Sequence, residues 1–178
     1  MFTLFQYKIG INILPTNEYL FRYKVLENNI CGKCQDGEVD SIMHSLWECV
    51  TIQPFLTIVL RNINTWTGIE LDMLDFLFGF DEPHSEGINH YALEAKMFIF
   101  YNWKEKVVQA DEEDEAVDRE TIQSKLIRFH CKVRRVIKTE KHIAVNMYCT
   151  DDRREKFYKK WENFCEIYQI FGPDNMEI

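Results

Sequence analysis

The sequence predicts a mostly α-helical protein, with a small N-terminal module stapled by Cys and His side chains and packed on a helical bundle. Three observations predict it. Apolar side chains recur at helical spacing along most of the chain, as in Ile52, Phe55, Leu56, Val59, Leu60, Ile63 and Trp66. Cys31, Cys34, His44 and Cys49 fall in order as C-x2-C-x9-H-x4-C, the residue types and ordered spacing of a metal-ligand set. Apolar residues make up 46% and aromatics 14%, enough to build a core and too much for a disordered chain.

The elements follow in chain order. Thr16, after Pro15, can cap a short helix reaching about Leu26, and Glu27-Asn28-Asn29 ends it before the first cysteine pair. Gly32 permits the tight turn between two cysteines that share one ion, and Gln35-Asp36-Gly37 makes a second turn. His44 and Cys49 stand five apart, about 140° around an ideal helix. A straight helix cannot aim both at one ion, so a helical turn at His44 has to break or bend before Cys49. The next helix carries the stripe from Ile52 to Trp66, with Thr51 as cap, Pro54 in the first turn and Gly68 at the stop.

Between Leu71 and Phe80 the apolar density fits a short buried helix or an extended core segment, and periodicity does not choose. A polar loop leads to a helix expected over 90–108, then an acidic loop over 111–118. A basic amphipathic helix is expected over 119–146, with Ile122, Leu126, Phe129, Val133, Val136 and Ile137 as its apolar stripe. A last helix is expected over 152–169, around Phe157, Trp161 and Phe164. These divide the chain into a zinc-binding module with its flanking helices, 1–68, and a helical C-terminal region, 69–178.

A Cys3His set fills all four positions of tetrahedral Zn2+ and leaves none open for substrate. The reading is therefore a structural zinc site and no enzyme. No apolar run approaches the roughly 20 residues that cross a bilayer, and the start of the chain lacks the pattern of a secretory signal. The expected setting is intracellular, nuclear or cytoplasmic, with reduced thiols; Cys131, Cys149 and Cys165 are expected to pack as small apolar side chains. Core burial is expected for Tyr101, Trp103 and Trp161, and His84, His90, His130 and His142 show no second ligand spacing.

The net charge of −8 is uneven. Residues 1–120 carry 9 Lys and Arg against 21 Asp and Glu, whereas residues 121–164 carry 12 against 5. Lys125, Arg128, Lys132, Arg134, Arg135 and Lys138 lie beside or opposite the apolar stripe of the basic helix. They are the candidate phosphate contacts, with a merely solvated face as the alternative.

The order of these features resembles the C-terminal zinc-binding (CCHC) segment of reverse transcriptases from non-LTR retrotransposons, the family of the long interspersed elements. The residues that carry the resemblance are the Cys31/Cys34 pair, Glu38, the run His44-Ser45-Leu46-Trp47-Glu48-Cys49 and the step Gln53-Pro54-Phe55. Leu77-Phe78-Gly79, Thr139-Glu140-Lys141-His142-Ile143-Ala144 and Lys160-Trp161 extend it over about residues 13–165. The resemblance implies a non-catalytic tail that holds RNA or DNA, with a reverse transcriptase polymerase domain as a partner. It implies neither a membrane nor a small-molecule substrate. The Tyr-x-Asp-Asp polymerase motif is missing from the sequence, so the chain looks like a detached tail. A protein-interaction or assembly module and a non-functional retroelement remnant stay open as alternatives.

Overall fold

A computed structural model describes residues 2–34, 36–83, 85–103, 121–147 and 150–169 of the chain. Among them the secondary structure is helical, and the sole extended pairing is an isolated antiparallel bridge between Ile30 and Val39. The fold class is the one read from the sequence.

The first helix, α1 (Phe2–Gly10), was not expected. It buries Phe5 and Ile9, one turn apart, and its apolar pattern is too short to separate from a loop. The second, α2 (Asn17–Arg22), begins where predicted: the Thr16 hydroxyl accepts from the Tyr19 N–H at 3.4 Å. It stops short of Leu26, because Lys24 turns into the left-handed region at φ +58.

Next, α3 (Gln53–Thr67) carries Pro54 in its first turn and ends at Gly68, whose φ of +71 favours glycine. Thr51 is not its cap; its hydroxyl instead donates to the Lys33 carbonyl at 2.8 Å, tying the cysteine hairpin to the start of α3. The segment left open by periodicity is a helix, α4 (Met73–Phe78). Asp72 and Asp75 make its capping box, each carboxylate accepting from the other's backbone N–H.

The fifth helix, α5 (Glu86–Asn102), begins one turn earlier than expected. The expected continuation to 108 and the acidic loop over 111–118 lie outside the described residues. Thr121 caps α6 (Ile122–Lys141), which passes into a π-helical turn, His142–Met147, where a plain α-helix was expected. Thr150 caps the last helix, α7 (Asp151–Ile167).

The core lies where α3, α5, α6 and α7 meet. Phe129 of α6 is fully buried, its ring 5.4 Å from Phe55 of α3 and 5.2 Å and 5.6 Å from Tyr91 and Phe98 of α5. Trp66 of α3 sits edge-on to Tyr91 and to Phe164 of α7. Helices α5 and α7 touch at Gly87, where an added Cβ would meet the Lys160 carbonyl oxygen at 2.0 Å. Only glycine fits there.

Polar groups tie the bundle together. Glu140 of α6 accepts from Trp161 Nε1 at 2.7 Å and from Lys160 Nζ at 3.0 Å, fastening α6 to α7. No described helix is long and apolar enough to cross a membrane.

Candidate metal centre and basic face

The metal-ligand side chains come from two short pieces of backbone. Around Cys31 the chain forms a hairpin: the Cys31 N–H donates to the Glu38 carbonyl at 2.8 Å, and the Asp40 N–H to Asn29 at 2.8 Å. This places Cys31 and Cys34 on a tight loop with Gly32 between them. His44 and Cys49 bracket a π-helical turn over His44–Glu48, closed by the Cys49 N–H donating to the His44 carbonyl at 2.9 Å. A π turn closes from i to i+5. It therefore brings together two side chains that an α-helix would splay about 140° apart. The bend expected from the spacing exists, and this turn is its form.

The donor geometry fits one small cation. All four ligand atoms lie within 4.8 Å of one another, and all four residues are buried. Cys31 Sγ and Cys49 Sγ are 4.0 Å apart, and Cys34 Sγ is 3.3 Å from His44 Nε2. A tetrahedral zinc with thiolate bonds of about 2.3 Å has sulfur–sulfur edges of about 3.8 Å. This is a zinc-binding cluster. Its four donors match a closed structural site, with no position left for substrate.

Two opposing effects act on the thiols. Burial pushes the thiols of Cys31, Cys34 and Cys49 above their ordinary range. Backbone N–H groups work the other way: Lys33 and Cys34 at Cys31, Asp36 at Cys34, and Thr51 at Cys49. Such donors favour thiolate, and a divalent ion at the centre deprotonates coordinating thiols outright.

A second ring of contacts orients the cluster. Asp40 is buried; its Oδ1 accepts from Ser45 Oγ at 2.6 Å and from Lys33 Nζ at 3.3 Å, and its Oδ2 from the Asn17 N–H at 3.0 Å. Lys33 Nζ also donates to Ser45 Oγ. The loop bearing Cys31 and Cys34 is thereby joined to the turn bearing His44. The sequence reading missed Asp40, which carries no signal beyond being one acidic residue in a polar loop. Trp47 packs on Phe76, their ring centres 5.5 Å apart, and its carbonyl accepts from Gln53 Nε2. The module is thus fastened to α3 and α4.

No protein family, curated protein or solved structure matches this chain. The zinc chemistry stands on its own residues.

The six basic candidates of α6 divide in two. Lys125 donates to the Asn102 carbonyl at 3.3 Å and lies 4.3 Å from the centre of the Trp103 ring. Arg128 donates to Asn102 Oδ1 and lies over Phe98. Lys132 pairs at 2.8 Å with Glu94, whose side chain is almost fully buried. These three hold α6 to α5. Arg134, Arg135 and Lys138 are exposed, with no ion pair among the described residues. With Cys131, Thr139 and His142 they border a shallow groove of about 470 Å³.

Other expectations fare unevenly. Trp103 and Trp161 are buried as expected, but Tyr101 is 53% exposed. Cys131 is exposed against expectation and Cys165 half-buried, while Cys149 lies outside the described residues. His130 and His90 are half-buried, His142 is exposed, and His84 lies outside the described residues. Burial lowers the His90 pKa to about 4, with Lys160 adding to the effect and Glu140 opposing it.

Proposed function

We propose that this chain is a non-catalytic nucleic-acid-binding module of the kind that ends non-LTR retrotransposon reverse transcriptases. In this reading Cys31, Cys34, His44 and Cys49 are its zinc ligands, and the outward face of α6 contacts phosphates. The zinc cluster stabilises the front of the module, and the bundle presents the basic face. The observation that carries the reading is the trio Arg134, Arg135 and Lys138, exposed on adjacent turns of one helix face and without an ion pair among the described residues. Cations at such spacing can follow a phosphate backbone and supply affinity without sequence choice. Lys125, Arg128 and Lys132 contribute little, being held by α5.

The test is binding of a fluorescent single-stranded RNA by the zinc-loaded chain across a salt series. Three phosphate contacts give a log–log salt slope of about −2 for a single strand. Changing Arg134, Arg135 and Lys138 together to Gln should flatten it. No binding at low salt overturns the reading.

A second reading, a protein-interaction module, is favoured by a different observation. Leu4, Tyr7 and Ile11 are exposed at i, i+3 and i+7 along α1 and the turn after it, and Leu74 and Phe78 are exposed on the neighbouring α4. Light scattering over a concentration series separates the two. Self-association relieved by Tyr7→Lys supports this reading, and a monomer at all concentrations counts against it.

A further inference from the structure

Away from the zinc cluster and the basic face, α1, α4, α5 and α7 border a cavity of about 380 Å³. Phe76, Ala92 and Leu93 supply apolar wall, Glu86, Asn89 and Lys160 add polar wall, and Lys96 of α5 is buried beside them. A buried ammonium normally faces a carboxylate. Lys96 has none among the described residues. Its Nζ donates to Gln6 Oε1 at 2.6 Å and to the Leu77 carbonyl at 3.0 Å, both uncharged acceptors. A neutral amine has two N–H bonds and one lone pair. Two acceptors satisfy both hydrogens of the uncharged form and leave its lone pair over, while the Phe76 ring, 5.7 Å from Nζ, weighs toward the ammonium. Desolvation alone pulls the pKa down to about 7. A desolvated lysine beside a cavity is a setting in which amines attack carbonyl carbon.

We propose that Lys96 is a covalent docking point for a small aromatic or aliphatic aldehyde, held in this cavity as a reversible imine. The Nζ lone pair bonds to the carbonyl carbon as the C=O π pair moves to oxygen. Both amine hydrogens leave with that oxygen as water, and a C=N bond replaces the C=O. Nothing is oxidised or reduced, and water reverses the step. The site is independent of nucleic-acid binding and does not require turnover.

The test uses the zinc-loaded full chain, benzaldehyde as probe and cyanoborohydride to trap imines at neutral pH, followed by peptide mass mapping. Lys96 should label about tenfold faster than exposed Lys24 and Lys159, because far more of it is neutral at that pH. Leu93→Trp, which fills the cavity and leaves the amine in place, should remove that advantage with labelling of Lys24 and Lys159 unchanged. In urea the selectivity of the original chain should disappear. Lys96 labelling no faster than Lys159 in the folded original chain overturns the proposal, whatever the variant does.

Discussion

The backbone N–H of Cys49 donates to the carbonyl oxygen of His44 across a five-residue turn, at 2.9 Å. That bond lets a histidine and a cysteine with four residues between them serve one ion. It also explains why an i, i+5 pair, wrong for an α-helix, is right for this site.

The ring around the cluster should matter almost as much as the ligands. Asp40→Ala leaves the Lys33 ammonium buried without its carboxylate and removes the acceptor of Ser45 and of the Asn17 N–H. Breaking a buried pair in this way costs about 3 kcal/mol. Urea unfolding of the zinc-loaded variant measures it, and a loss below about 1 kcal/mol contradicts the role given to Asp40.

Gly87→Ala should destabilise the bundle despite the better helix propensity of Ala. A methyl at that position meets the Lys160 carbonyl oxygen at 2.0 Å, so α5 and α7 must move apart. Overpacking of this kind costs about 1–3 kcal/mol, against about 1 kcal/mol gained from propensity. Thermal unfolding should show a lower midpoint; an unchanged or higher one refutes the contact.

Lys132→Met should unfold the chain more readily without changing how RNA binding responds to salt. It leaves the Glu94 carboxylate buried without its cation, at a cost of about 3 kcal/mol. Equal loss of stability and of salt slope would place Lys132 on the phosphate face instead.

Stability should rise with pH through the window set by Lys96. Its folded pKa, about 7, lies below the ordinary lysine value of 10.5, so between the two the unfolded chain binds more protons than the folded one. The folded state therefore gains with increasing pH from about 7 toward 10.5, and below 7 this group contributes no slope. Urea midpoints at pH 7, 8.5 and 10 check the sign, with Lys96→Met expected to flatten the rise.

The zinc cluster was legible because ligand chemistry is written in residue types and spacing, and Cys31, Cys34, His44 and Cys49 have few other reasons to fall in that order. The stripes of α3 and α6 were legible for a similar reason, since burial repeats every turn. What was not legible depends on partners distant in sequence. Lys125 and Lys132 read as phosphate contacts until Asn102 and Glu94 appear beside them. Thr51 reads as a cap until the Lys33 carbonyl takes its hydroxyl. Asp40, Gly87 and Lys96 look ordinary in sequence, and only tertiary packing gives them their roles.

The central claim is that one zinc ion holds the cysteine hairpin against the His44–Cys49 turn. Elemental analysis of the purified chain, followed by circular dichroism and unfolding under strong chelation, tests it most directly. One zinc per chain is expected, lost in Cys49→Ala, with chelation lowering the unfolding midpoint steeply. A metal-free chain that remains fully folded in chelator would contradict the account.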